Sequence, residues 1–134
     1  MKNELIPLEA EVLRLLLDGD DPILFSLREQ LTHLVSVKRE HTGVGCYTYF
    51  VFDGNAQPVL GEPSFAFGDV IPEIEGLDDG AGFVVFVKGG LLHMLEAYSY
   101  GHSWPMTIGR FVVSYQHGGS RDMAALRCTR GWPK

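Results

Sequence analysis

In the first third of the chain, apolar residues repeat every three or four positions, which is the spacing of one helix face. A first amphipathic helix is predicted to begin near Pro7 and to end near Gly19, with apolar positions at Leu8, Val12, Leu15 and Leu16. A second helix is predicted from about Pro22 to Val35, because Asp21 and Pro22 form an N-cap and first-turn pair. Its apolar positions are Leu24, Leu27, Leu31, Leu34 and Val35. The short connection DGDD makes the two helices a hairpin or an L-shaped pair.

After Val37 the pattern changes to β-branched and aromatic residues interrupted by glycine and proline, which is typical of strands. We expect about six strands, namely VSVKREHT, CYTYFVFD, FAFGDVIPEIEGL with a bend at Pro72, GFVVFVK, LLHMLEAYSY and RFVVSYQ. Helices followed by strands predict an α+β fold, in which the N-terminal pair of helices packs on one face of an antiparallel, roughly six-stranded curved sheet. We assign helices to about 7–35, the sheet to about 37–116 and a C-terminal tail to 117–134, all within a single domain spanning 1–134.

Composition narrows the function classes. The 134 residues carry a net charge of −6, which argues against nucleic-acid binding because that binding needs clustered lysine and arginine. No apolar run approaches the roughly 18 residues of a membrane span, and the acidic N-terminal stretch lacks the features of a signal peptide. We therefore expect a cytoplasmic protein with no membrane partner. In that compartment Cys46 and Cys128 are expected to be free thiols.

The charge is uneven along the chain. Residues 1–120 hold seven basic and sixteen acidic side chains, whereas residues 121–134 hold four basic and one acidic. We interpret this basic tail as a frayed, solvated terminus rather than a binding arm.

One carboxylate, Glu96, lies within the apolar hairpin GFVVFVKGGLLHMLEAYSY. If Gly89 and Gly90 form a two-residue turn, outward counting places Glu96 opposite Phe83 and on the same strand face as Tyr98 and Tyr100. Two hypotheses follow. Glu96 is a general acid, a general base or a ligand anchor in an aromatic pocket, or it is a structural carboxylate satisfied by a tyrosine hydroxyl or by Arg110. A register slip of one residue would send Glu96 to the other face.

His93 lies three residues before Glu96. On a helix, HMLE would bring the two side chains together, but the Gly-Gly turn favours a strand, on which they point to opposite faces. His93 is then expected to share a face with Leu91 and Leu95 as a core histidine. The loop GHSWP displays Trp104, which either caps a pocket or folds back onto the core; we favour the core.

The remaining motifs are weak. Glu73 and Glu75 share a strand face, but this is the ordinary pattern of a half-exposed strand. We find no zinc spacing, phosphate loop or nucleophile motif, and we expect neither a metal nor a cofactor.

Three stretches, LEAEVLRLLLDGDDP, HTGVGCYTYFVF and FGDVIPEIEGLDDGAGFVVFVKGGLLHMLEAYSYGHSWP, carry a resemblance. Together they resemble a family of small uncharacterised bacterial proteins of about 130 residues, marked by a stretch of the form GAGFxxFxxxGxLxMLExYxYxxxWP. The resemblance covers the chain up to about Tyr115 and implies a bacterial, stand-alone domain. The family has no established activity, so the resemblance assigns no catalytic residue.

Our first functional hypothesis is a non-enzymatic module of a bacterial accessory gene that binds a small ligand or a protein. Both faces of the central hairpin are largely apolar, whereas two short helices can cover only one, so we also expect a homodimer or a sheet that closes on itself. The alternatives are a small hydrolase or lyase that uses Glu96 with nearby Tyr or His, and a toxin-immunity-type inhibitor. The ligand-binding candidates are Glu96, Tyr98, Tyr100, Phe83, Trp104 and His93.

Overall fold

The computed structural model describes residues 4–116 and 118–134. Its helices are α1 (Pro7–Leu16), α2 (Pro22–Leu31) and α3 (Met123–Arg127). Its strands are β1 (Leu34–His41), β2 (Gly45–Phe52), β3 (Phe65–Phe67), β4 (Val70–Ile74), β5 (Ala81–Lys88), β6 (Leu91–Ser99) and β7 (Phe111–Tyr115). Within these residues, no helix has the length and apolar character that crossing a membrane requires.

The two N-terminal helices begin where the sequence predicts. In α2 the Asp21 carboxylate accepts hydrogen bonds from the backbone N–H groups of Ile23, at 2.8 Å, and Leu24, at 3.3 Å, which caps the first turn. The predicted end near Val35 is wrong, because Leu34 already pairs with Phe52 as the first residue of β1. The helix thus ends earlier than the apolar periodicity indicates, because strand pairing begins at Leu34.

The fold is α+β, as predicted, but its strands form two antiparallel sheets. The larger sheet has the order β1-β2-β6-β5-β3, and β4 pairs with β7 in a second, smaller sheet. The sequence pattern predicts one strand over 65–77, bent at Pro72, and this is wrong because the strand breaks at Gly68. A side chain at Gly68 would place its Cβ 2.1 Å from the carbonyl oxygen of Phe83. Pro72 lies inside β4, opposite Val113.

A single hydrophobic core lies between the helices and one face of the larger sheet. Leucines from both N-terminal helices pack there with side chains of β5 and β6 that are almost inaccessible to water. The buried members are Leu8, Val12, Leu13, Leu16, Leu24, Leu27, Phe83, Val85, Val87, Leu92 and Leu95. The smaller sheet contributes Val70 and Ile74 to the same core.

The C-terminal segment is ordered against this core, so the interpretation as a frayed terminus is wrong for residues 118–134; His117 lies outside the described residues. Arg121 donates two hydrogen bonds of 2.8 Å to the carboxylate of Asp69. The guanidinium carbon also lies 5.8 Å from the ring centroid of Phe67 and 5.3 Å from that of Tyr115. Trp132 is only 4% exposed. Its ring packs against β3, which is an edge strand of the larger sheet.

The two cysteines are free thiols, as predicted. Cys46 is buried and Cys128 is exposed, and burial raises the pKa of the Cys46 thiol. A buried thiol with a raised pKa is a weak nucleophile, so Cys46 is a core residue.

Candidate functional site

A β-bulge in the β5–β6 hairpin sets the orientation of Glu96. The turn at Gly89 and Gly90 pairs Lys88 with Leu91 and Val87 with Leu92, as predicted. The register then shifts, because Phe86 pairs with Met94 and leaves His93 as the extra residue. Beyond the bulge every partner differs by one position from a regular hairpin, which is why the predicted pairing of Glu96 with Phe83 is wrong.

Beyond the bulge, Glu96 pairs with Val84 on β5 and with Tyr47 on β2. These three side chains point away from the helices, since Phe83 and Val85, the neighbours of Val84, are buried in the core. Tyr47, Val84 and Glu96 are themselves half-buried. Glu96 therefore lies on the sheet face that the helices do not cover.

We call this surface the open face and define it by three rows of directly paired residues. The middle row is Glu40, Tyr47, Glu96 and Val84. The row on one side is Lys38, Tyr49, Met94 and Phe86. The row on the other side is Gly45, Tyr98 and Gly82. None of these residues belongs to the core cluster found in residues 4–116 and 118–134.

Tyr98 extends the aromatic surface beyond Glu96. Its ring lies over Gly82, where an added Cβ would be 2.3 Å from the Tyr98 hydroxyl oxygen, so only glycine leaves room for it. The Tyr100 ring meets it edge to face at a centroid distance of 5.6 Å. Burial is the main cause that raises the pKa of Tyr98, followed by Tyr100 and by the negative charge of Glu96. The Glu96 charge thus acts directly on this tyrosine.

Tyr49 and His93 form the opposite side of the open face. Their ring centroids are 5.6 Å apart in an edge-to-face contact, and the Tyr49 ring also meets the Tyr47 ring edge to face at 6.3 Å. Loss of contact with water and then the charge of Glu40 raise the pKa of Tyr49. The predicted placement of His93 in the core is wrong, because the bulge leaves its side chain exposed and in contact with Tyr49.

Two of the sequence-derived candidates lie on the core side of the sheet. Phe83 is 1% exposed, and its ring meets the ring of Trp104 edge to face at 5.9 Å. The Trp104 backbone N–H donates to the carbonyl oxygen of Gly43 at 2.7 Å, which holds the loop against the end of the sheet. Trp104 thus folds back onto the core, as favoured above. The structure places Glu96 and Tyr98 in the open face, with Tyr100 against Tyr98 and His93 against Tyr49, and it separates Phe83 and Trp104 from them.

Elsewhere in the fold, the buried carboxylate of Glu9 accepts hydrogen bonds at both of its oxygens. One oxygen accepts from the Ile6 backbone N–H at 3.0 Å and from Arg39 at 2.6 Å; the other accepts from Arg39 at 3.0 Å and from the Thr48 hydroxyl at 2.9 Å. These bonds join α1 to β1 and β2. Asp69 and Asp21 are likewise paired, with Arg121 and Arg127.

Glu96 has no such partner in residues 4–116 and 118–134. It takes part in none of the six ion pairs of the described residues, and Glu40 takes part in none either. Arg110, the arginine considered above as a structural partner of Glu96, forms no ion pair with it in residues 4–116 and 118–134. The backbone N–H of Arg110 donates to a carboxylate oxygen of Glu75 at 3.3 Å, beside the smaller sheet. Across the residues that the structure describes, this half-buried carboxylate among aromatic rings therefore has no basic partner.

Cavities of about 270 to 740 Å³ lie along the described residues, and other side chains than Glu96 line them. The widest, of about 740 Å³, lies beside the smaller sheet at Glu75, Arg110 and Val112. One of about 270 Å³ lies between the C-terminal segment, the loop after β3 and β7, with Asp69, Tyr115 and Leu126 in its wall. Another of about 270 Å³ lies between α2 and the loop that contains Asn55 and Gln57. In the part of the chain that the structure describes, no group of three or more His, Cys, Asp or Glu side chains is placed to hold a metal ion. Glu96 thus lies on the sheet surface among aromatic side chains and lines none of these cavities.

Sequence reasoning missed Glu40, Tyr47 and Tyr49. They come from β1 and β2, and only the antiparallel pairing of β2 with β6 brings them beside Glu96. The alternation in KREH and CYTYF indicates which residues share a strand face. The pattern within one strand does not indicate which strand pairs with it.

No protein-family model, curated protein or solved structure matches this chain. The resemblance to a family of small bacterial proteins stays a prediction, and function is argued from the geometry of the open face.

Proposed function

We propose that this chain is a non-enzymatic binding module whose open face binds a partner. The observation that carries the proposal is the position of Glu96, a carboxylate that forms no ion pair within the described residues and lies in the middle of an uncovered aromatic and aliphatic sheet face. Contiguous apolar surfaces with a polar component are typical of interaction sites in soluble proteins.

The composition of the open face supports this proposal. Tyrosine, phenylalanine and methionine are enriched at the centres of protein interfaces, and this face presents Tyr47, Tyr49, Tyr98, Phe86 and Met94 on three adjacent strands. Strands of a sheet hold these side chains at fixed spacing, so a partner meets a surface that is already organised. Glu96 lines none of the cavities described above, which favours a protein segment over a small molecule, because small molecules bind in concave pockets.

The hydrolase or lyase alternative has less support. Catalysis by Glu96 with His93 requires both groups to reach one substrate atom, but along a strand three residues span about 10 Å. His93 contacts Tyr49 rather than Glu96. The inhibitor alternative is a special case of protein binding.

The proposal is tested by selecting a displayed library of random dodecapeptides on the purified protein. The open-face variant Tyr47→Ser/Phe86→Ser removes two large apolar side chains from adjacent rows. The matched control Ile71→Ser/Val112→Ser removes two apolar side chains of the smaller sheet that are 42% and 64% exposed. We expect the peptides selected on the wild type to bind the control variant and not to bind the open-face variant. Peptides that bind all three proteins equally, or no enrichment at all, would contradict the proposal.

A second copy of the chain is the other protein that this face can bind, as an isologous dimer. Light scattering after gel filtration at micromolar concentration measures this directly. A dimer that becomes a monomer in Tyr47→Ser/Phe86→Ser and persists in Ile71→Ser/Val112→Ser would assign the open face to self-association. A wild-type monomer would contradict the predicted homodimer.

A further inference from the structure

Two carboxylates flank one tyrosine on the open face. Glu40 and Glu96 are the direct cross-strand neighbours of Tyr47, on β1 and β6 respectively. Neighbouring strands lie about 4.8 Å apart, so the backbones of the two glutamates are about 10 Å apart with the tyrosine between them. Both carboxylates lack an ion pair in the described residues. This row concentrates negative charge around an aromatic ring.

The nearby aromatic rings add to the attraction for a cation. A guanidinium or ammonium group binds favourably over a tyrosine ring, and hydrogen bonds from such a group to a carboxylate are among the stronger ones in proteins. Tyr98 provides a second ring next to Glu96, held over Gly82. The three rows contain one lysine and no arginine. This lysine, Lys38, lies beside Tyr49 at the exposed sheet edge and not in the row of Glu96.

We propose that the partner of the open face is a protein segment that carries an arginine or a lysine between apolar side chains. Its cation binds between Glu40 and Glu96, over the ring of Tyr47, and its apolar side chains cover Met94, Phe86 and Val84. This inference rests on the proposed function and names the chemistry of the partner.

Charge complementarity favours this partner over a second copy of the chain. The chain carries a net charge of −6, so two copies repel each other, whereas a basic segment is attracted. An isologous dimer with its axis near the centre of the open face would also bring the two copies of Glu96 together without a counter-ion. Such an arrangement leaves like charges facing each other at the interface, which is costly.

The test is the same library selected on the wild type, Glu96→Gln and Glu96→Lys, with Glu73→Lys as the matched control. Glu73 is an exposed carboxylate on β4, so its reversal changes the net charge equally and leaves the open face intact. We expect the wild type to select peptides with arginine or lysine at one fixed position between apolar residues. Their affinity should fall about tenfold in Glu96→Gln, because a charge-assisted hydrogen bond is lost. It should fall further in Glu96→Lys and change less than about twofold in Glu73→Lys.

Two further readouts keep the outcomes distinct. Circular dichroism melts show whether each variant is folded, and Glu96→Lys should select acidic residues at the position where the wild type selects basic ones. Peptides that depend on Tyr47 and Phe86 but show no basic preference would overturn this inference and leave the proposed function standing. Peptides that depend on neither would overturn both. If the wild type is a dimer and Tyr47→Ser/Phe86→Ser is a monomer, a second copy occupies the open face. That result would overturn the inference of a basic partner segment.

Discussion

On β5 and β6, both faces of the larger sheet carry large apolar side chains, but their surroundings differ. On the core face, Phe83, Val85 and Leu95 are at most 1% exposed and pack against the helices. On the open face, Val84, Phe86 and Met94 occupy the alternate positions of the same strands and remain half-buried. Apolar character therefore does not distinguish the two faces; the presence of a covering layer does.

The carboxylates show the same difference more clearly. Glu9, next to the core face, accepts four hydrogen bonds and is 5% exposed. Glu96, on the open face, has no ion pair in the described residues. Folding thus satisfies the charge that it buries, and a charge left without a partner on an aromatic surface is available for an external one.

The comparison is tested most strongly by two alanine substitutions on β5. Phe83→Ala empties a fully buried site and should lower the free energy of unfolding by about 3–5 kcal/mol, whereas Phe86→Ala on the open face should lower it by about 1 kcal/mol. Urea denaturation of both variants measures the difference. Equal losses would mean that the open face is part of the core.

The second test removes the charge of each glutamate. Glu9→Gln breaks a buried ion pair with Arg39, whose side chain is 18% exposed, and leaves the guanidinium without its counter-charge. The expected loss of unfolding free energy is about 3 kcal/mol, while Glu96→Gln should change it by less than about 0.5 kcal/mol. Denaturant titrations at neutral pH check both values. A large loss in Glu96→Gln would make that carboxylate structural.

A smaller, pH-dependent effect is expected at Asp21. Burial alone would raise the pKa of this carboxyl, but hydrogen bonds from Arg127 and from the backbone N–H groups of Ile23 and Leu24 outweigh it and lower the pKa. The folded chain therefore binds this proton more weakly than the unfolded chain does. The stabilisation is present above the ordinary pKa of an aspartate and is lost as the pH falls through the lowered, folded-state pKa.

The variant Asp21→Asn should accordingly be less stable than the wild type by about 1 kcal/mol at neutral pH, because asparagine still caps a helix but loses the pairing with Arg127. The difference should shrink towards zero in acid. Thermal melts over a pH series measure it, with Glu73→Gln as a control on an exposed carboxylate. A difference that stays constant with pH would exclude the linkage.

The sequence predicts features of the fold that depend on local chemistry. Pro7, Asp21 and Pro22 mark the starts of both N-terminal helices, and the Gly89–Gly90 turn marks the central hairpin. These residues act through their own backbone preferences and through bonds to the next turn, so no distant contact is needed to interpret them.

The features that the sequence does not reveal depend on distant contacts. The bulge at His93 shifts every later residue of β6 by one position, and no residue type in LLHMLEAY marks it. At the break, Gly68 approaches the carbonyl oxygen of Phe83, a residue of another strand. The C-terminal segment looks like a solvated tail until Arg121 is seen to pair with Asp69. For the candidate site, the sequence singles out Glu96 as a carboxylate in an apolar strand. Its neighbours can be identified only from the strand order.

The measurement that tests the account most directly is the thermal midpoint of Glu96→Leu. If Glu96 serves binding rather than folding, leucine on this apolar strand face should raise the free energy of unfolding by about 0.5–1 kcal/mol and the midpoint by a few degrees. A midpoint that falls by several degrees would mean that the carboxylate stabilises the fold, and it would contradict the assignment of the open face as a binding surface built around Glu96.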